Sequence, residues 1–276
     1  MKDTQPGDIA FIGGGNMARS LIGGLIARGM PAPAIHVSEP VEALRDALAR
    51  DFGVRVFADN AEAARDSATW VLGVKPQVMR DVCESLAPIA QDARPLVVSV
   101  AAGITTAQLV RWLGGDLAVV RTMPNTPALL GAGVTGLFAN ARVDASGRAR
   151  TDAMLSAAGP TVWIDDEAKM DAVTGVSGSG PAYVFLLAEA MQAAGEAEGL
   201  APDAARTLAM QTILGAGRML VEGDADAAEL RRRVTSPNGT THAAITAFEA
   251  GGFRELVARA IHAATVRGKE LSDAND

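Results

Sequence analysis

The chain has 276 residues, enough for one large domain or two ordinary ones with a sizeable core. Apolar residues make up 49% of it, which marks a globular sequence, and aromatics at 4% are too few for stacking platforms. A formal charge of -7 speaks against a nucleic-acid surface, which needs clustered cations to displace counterions.

Single residues narrow the classes further. Cys83 stands alone, so neither a disulfide framework nor a cysteine-rich metal site is expected, and its neighbours Val82 and Leu86 read as a buried helix face. The basic run Arg231-Arg232-Arg233 reads as a solvated helix face, with attraction of an anionic ligand as the alternative. No apolar run is long enough to span a bilayer, and the opening "MKDTQPGD" is too polar for a signal peptide. The expected location is the cytoplasm, with neither membrane nor nucleic acid as a partner.

In chain order, a buried strand is predicted at Ile9 to Ile12, followed by a turn through Gly13-Gly14-Gly15 into a helix with Met17, Leu21 and Leu25 at apolar spacing. Gly13, Gly15 and Ala18 fit a G-x-G-x-x-A dinucleotide fingerprint. Gly13 allows the tight turn, Gly15 lets the backbone approach a pyrophosphate, and Ala18 lets the helix pack close to the sheet. Asn16 and Met17, at the helix N-terminus, belong to the same phosphate site. Further strands are predicted at Ala34 to Ser38, Val54 to Phe57, Thr69 to Val74, Pro95 to Val100 and Leu117 to Thr122, with helix-length segments between them. That alternation implies a parallel sheet with right-handed crossovers.

Ligands of such sheets lie at the carboxyl ends of the strands. Three loops there are the candidates. The first carries Val74, Lys75 and Pro76; the second Ala101, Ala102 and Gly103; the third Pro124 and Asn125. Ser38 and Glu39 end the second strand, about 20 residues after the fingerprint, where an acid accepts from the ribose of NAD. A carboxylate there repels a 2′-phosphate, yet Ser38 and Arg45 could serve that phosphate if Glu39 turned outward. NADH and NADPH therefore both stay open as cofactor.

After Trp163 the strand-like runs stop. Helices are predicted from about Pro181 to Gly199, Pro202 to Glu222 and Phe253 to Leu271. The first, "AYVFLLAEAMQAAGEAEGL", is apolar over most of its opening turns and wants burial on all sides, which points to a dimer formed through this half, with a central helix inside a monomer as the alternative. The fold class is α/β, with a dinucleotide-binding domain over residues 1–163 and an all-α domain over residues 164–276.

Taken together, "FIGGGNMA", "GVKPQ", "MPNTPA", "SGSGPAY" and "TSPNGTTHAAITAFEAGGF" make the chain similar to the pyrroline-5-carboxylate reductases along essentially its whole length. The last motif is the most specific: Leu230, Val234, Thr235, Ser236, Gly239, Thr241, Ala244 and Ile245 fall at the family's signature spacing. The resemblance implies a Rossmann domain followed by a helical dimerisation domain, with dimers that can assemble further into decamers. It implies NAD(P)H-dependent reduction of 1-pyrroline-5-carboxylate to L-proline, in a site between the nucleotide domain and the helical domains. By position, Ser236, Asn238, Gly239, Thr240 and Thr241 hold the substrate: N–H groups at Gly239 to Thr241 bind its carboxylate, and the Thr241 hydroxyl faces the ring nitrogen. Asn238 stands where many relatives have Gly, and Asn tolerates the left-handed conformation.

So mild a loop suits the chemistry. A protonated cyclic imine is already electrophilic, so hydride transfer needs positioning and a dry pocket more than a strong acid. Of the histidines, His36 and His262 read as structural and His242 adjoins Thr241. A β-hydroxyacid dehydrogenase is the rival enzyme, but it would want a general base such as lysine, and Lys169 lies in no motif suited to that role. A cofactor-binding sensor without turnover is the non-enzymatic rival.

Overall fold

Short apolar strands of a parallel sheet need cover on both faces, and the chain supplies it with helices. The structure, a computed structural model, describes residues 8–274; Met1–Gly7, on which the expectation about a signal peptide rests, lies outside the described residues. Strands β1 (Ile9–Ile12), β2 (Ile35–Ser38), β3 (Arg55–Phe57), β4 (Thr69–Leu72), β5 (Leu96–Ser99) and β6 (Val119–Met123) fall where the sequence predicts them. With β7 (Thr135–Ala139) and β8 (Thr161–Trp163) they form one sheet, ordered β3-β2-β1-β4-β5-β6-β7-β8.

The first six strands are parallel, as expected. The last two were not predicted, and β7 runs antiparallel to β6. The link from Met123 to Thr135 holds only a short 3-10 turn, Thr126–Leu130. A parallel return needs a longer, usually helical, crossover, so the chain doubles back instead. Strand β8 then pairs parallel to β7.

Helices α1 (Asn16–Ala27), α2 (Glu42–Phe52), α3 (Asn60–Ala64), α4 (Pro76–Ala93), α5 (Thr106–Trp112) and α6 (Ala145–Leu155) cover the sheet. Alternate strand residues divide between the faces. Phe11, Val37, Val71 and Val98 pack with Leu21, Leu48 and Met154 on one side. Ile12, Trp70, Leu72 and Val97 pack with Met79, Cys83, Leu86 and Leu109 on the other. Phe11, Ile12 and Leu21 are fully buried; each such side chain contributes roughly 1.5–3 kcal/mol relative to exposure. His36 is buried too, with Nδ1 3.2 Å from the Ala63 carbonyl and Nε2 2.9 Å from Arg55 Nη1.

The second half is helical: α7 (Met170–Val173), a π-helical turn at Thr174–Gly178, α8 (Gly180–Ala197), α9 (Pro202–Glu222), α10 (Ala227–Arg233), α11 (Thr240–Ala250) and α12 (Phe253–Ala274). Contacts group the chain into two compact units, one of residues up to Gly178 plus those from Ala263 onward, the other Ser179–His262. The first unit thus runs past the division drawn at residues 163 and 164, because polar ties hold the α7 region to the sheet. Arg121 Nη2 donates to Asp171 Oδ1 at 2.8 Å, and the Thr106 amide and hydroxyl each donate to Glu167 at 2.7 Å. Near the end of α12, the Ser272 carbonyl accepts from Gln108 Nε2 at 3.0 Å.

Within the second unit, α8 and α9 approach closely at Gly195, where a Cβ would lie 3.4 Å from that of Ala205. Large apolar side chains on these helices, among them Phe185, Leu186, Leu208, Leu214 and Leu220, stay exposed. Among the described residues no helix is long and apolar enough to cross a membrane.

Candidate cofactor and substrate sites

The glycine turn after β1 is shaped by its surroundings. Gly13 has φ +102°, and a Cβ there would sit 3.0 Å from the Gly73 carbonyl carbon, so the position needs glycine twice over. Its amide donates to the Ser38 carbonyl at 3.0 Å, and Gly73 donates to the Ile12 carbonyl at 2.8 Å, which stitches the turn to its two neighbouring strands. Gly15 differs. It is exposed, with φ -67°, and a Cβ there would meet nothing within 4 Å. Gly15 is the N-cap of α1; no side chain caps that helix and no acid lies in its first turn. The amides there are open to a phosphate. Asn16 beside it is exposed, Met17 is partly buried against the core, and Ala18 is buried.

At the end of β2, Ser38 is fully buried and its hydroxyl donates to the Phe11 carbonyl at 3.4 Å. Glu39 turns towards the glycine loop. Its Oε2 accepts from the Gly14 amide at 3.2 Å and its Oε1 from the Val41 amide at 3.1 Å.

The other three loops emerge at the same edge, since β4, β5 and β6 run parallel to β1. Lys75 is exposed and caps α4, with Pro76 at the first helical position. Val74 is half-buried against the core beneath the sheet. After β5, Ala101 and Gly103 are buried while Ala102 is exposed. A capping box, Thr105 with Gln108, fixes the following helix. After β6, Pro124 is buried and both ends of the Asn125 amide are engaged, Nδ2 with the Ser177 carbonyl and Oδ1 with the Val134 amide.

The substrate-binding candidates lie in the second unit. Asp226 caps α10, and its three arginines follow in the last turn. Arg233 and Arg232 both bind Glu229 and hold its carboxyl below the usual range, so much of that positive charge is matched locally. The chain then turns through Ser236 to Gly239, whose amide donates to the Ser236 carbonyl at 3.1 Å. Asn238 takes the left-handed conformation at φ +59°. Gly239 is the N-cap of α11, again without a side-chain cap or an acid in the first turn. The first-turn amides of Thr240 and Thr241 therefore face outward, a ready cradle for a carboxylate. Thr241 is half-buried, whereas Ser236, Thr240 and His242 are exposed.

Two features escape sequence reasoning. Gly14, between the two fingerprint glycines, is itself needed: a Cβ there would lie 2.5 Å from Leu48 Cδ1, and its amide holds Glu39. A third glycine in the run is its only signal. The Arg121, Glu167 and Asp171 cluster joins residues up to 50 positions apart and leaves no local pattern.

An open parallel sheet with an uncapped glycine turn and an acid at the end of β2 defines a dinucleotide-binding protein. A family model described as pyrroline-5-carboxylate reductase dimerisation matches residues 167–271, and one described as NADP oxidoreductase coenzyme F420-dependent matches residues 8–103. The pyrroline-5-carboxylate reductase of Pseudomonas aeruginosa is 54% identical over 96% of this chain and 97% of its own. A solved pyrroline-5-carboxylate reductase from Coxiella burnetii superposes with a TM-score of 0.94 at 42% identity, covering 97% of this chain and 99% of that one. The Plasmodium falciparum enzyme, solved with NADP bound, gives a TM-score of 0.83 at 27% identity, covering 96% and 98%. The chain belongs to the pyrroline-5-carboxylate reductase family.

Proposed function

We propose that the chain reduces 1-pyrroline-5-carboxylate to L-proline with NADH or NADPH, the last step of proline biosynthesis, and that the loop from Ser236 to Thr241 holds the substrate. The observation that carries this assignment is the start of α11: an uncapped helix N-terminus, no acid in its first turn, and a half-buried threonine hydroxyl. When bound, the reduced cofactor supplies the hydride. Gly13, Gly15 and the first turn of α1 receive its pyrophosphate, and the loops at Val74 to Pro76, Ala101 to Gly103 and Pro124 to Asn125 line it. The amides of Thr240 and Thr241 fix the substrate carboxylate; that of Gly239, expected to join them, is taken by the Ser236 carbonyl. The Thr241 hydroxyl orients the ring nitrogen and shares the proton that remains on it when the imine carbon is reduced. No strong base is required, which sets this chemistry apart from alcohol oxidation.

Self-association follows from the second unit. Val221 is 86% exposed, and Leu187, Met191, Ile245, Phe248, Phe253 and Val257 line an apolar groove of about 650 Å³. So much open apolar surface marks a partner face, and a second copy of the chain is the partner we assign, with decamers as the larger assembly. The cytoplasm is the compartment this function implies.

The direct test follows oxidation of NADH and of NADPH with 1-pyrroline-5-carboxylate and identifies proline as product. A protein that binds either cofactor yet turns over with neither would be a sensor instead. Sedimentation of the same preparation reads the assembly.

A further inference from the structure

We propose that Glu39 makes this chain discriminate against a 2′-phosphate, so that its adenosine subsite favours the plain ribose of NADH over the phosphorylated ribose of NADPH. The inference rests on the dinucleotide-binding function above and deepens it.

Three side chains at the end of β2 decide the matter, and their directions are settled by hydrogen bonds. Ser38 is turned into the sheet, its hydroxyl on the Phe11 carbonyl and its own carbonyl on the Gly13 amide. Arg45 is held by main chain: its Nη1 donates to the Glu39 carbonyl at 2.8 Å and to the Pro40 carbonyl at 3.0 Å. Glu39 itself is only 8% exposed, and its two oxygens take the amides of Gly14 and Val41. The outward turn that would admit a phosphate breaks both bonds and strands the amide of buried Gly14.

The remaining capacity of the carboxylate fits one ligand chemistry. An ionised carboxylate offers about four acceptor sites and no donor. Two are filled by backbone, which leaves room for a vicinal diol, whose hydroxyls donate. A 2′-phosphate replaces one of those donors with acceptor oxygens and about -1.5 to -2 charges. Acceptor then faces acceptor, and like charges meet in a partly desolvated corner.

Titration calorimetry of the unliganded protein with ADP-ribose and with 2′-phospho-ADP-ribose tests this without turnover. Wild type is expected to bind ADP-ribose tighter by about tenfold or more. Glu39→Gln, which keeps the shape but not the charge, should bring the two affinities to within roughly threefold, chiefly by tighter binding of the phosphorylated ligand. Arg45→Ala should leave the wild-type ratio in place. Equal affinities in wild type, an unchanged ratio in Glu39→Gln, or selective loss of the phosphorylated ligand in Arg45→Ala overturns the proposal. Binding of neither ligand by folded wild type overturns the dinucleotide-binding function, and the proposal with it.

Discussion

The side-chain amide of Asn125 donates to the carbonyl of Ser177, 52 residues further along the chain, at 3.1 Å. Its oxygen accepts from the Val134 amide at 3.0 Å. One side chain therefore ties the loop after β6 both to the start of β7 and to the π-helical turn. Asn125→Asp keeps the acceptor but turns a carboxylate oxygen on the Ser177 carbonyl, and is expected to cost about 1–3 kcal/mol in urea denaturation. Asn125→Ala leaves both partners unpaired and should cost about 2–3 kcal/mol. Wild-type stability in Asn125→Ala would show that neither bond matters.

Gly15 separates folding from cofactor binding. Its φ of -67° suits any residue, and a Cβ there meets no protein atom within 4 Å. Gly15→Ala should therefore keep the wild-type Tm while weakening dinucleotide binding by about tenfold or more, because the methyl fills the space the pyrophosphate needs. Gly13→Ala, at φ +102° against the Gly73 backbone, should lower Tm as well. A parallel fall in stability for both variants would argue that Gly15 is merely a turn residue.

Thr241 is assigned to the imine nitrogen, not to the cofactor. Thr241→Ala is expected to lower kcat/KM by about 10²-fold, within the range for a positioned proton donor. Cofactor affinity, measured by fluorescence titration, should stay within about twofold of wild type. Thr241→Ser, which retains the hydroxyl, should recover most of the activity. A similar loss in catalysis and cofactor affinity would place the residue elsewhere.

Cys83 is sealed in the core on the buried face of α4, and burial pushes its thiol up to about 12. In the unfolded chain the thiol ionises near 9. Below that pH both states are protonated and the group has no effect. Above it the unfolded state loses its proton first, so stability falls as pH rises. Iodoacetamide at pH 8 should therefore leave the native protein unmodified and label it only in denaturant, as read by mass spectrometry. Rapid native labelling would mean that α4 opens readily.

Much of this architecture is written in local pattern. Six strands, the turn at Gly13 to Gly15 and the helices α8, α9 and α12 announce themselves through apolar runs, glycine spacing and Pro at helix starts. Strands β7 and β8 do not. Gly136 interrupts the first, and the second has three residues behind Gly159 and Pro160, so neither rises above loop in a sequence window. The loop proposed to hold the substrate is legible only through its family motif, since no residue in it is a strong acid or base. Least legible are directions. That Ser38 turns inward and Glu39 towards Gly14 depends on the register of β2 beside β1, which no local pattern carries.

The two strands at the margins of the sheet, β3 and β8, have three residues each. An edge strand is a template for pairing with other chains, and its hazard grows with the number of free amides and carbonyls in a row. Here each rim offers barely one repeat of that ladder. Arg55 puts a charge on one rim, and Pro160 precedes the other. An eight-stranded sheet thus ends in margins too short to recruit a neighbour, which disfavours cross-strand aggregation through the nucleotide-binding unit and leaves association to the apolar helices of the other.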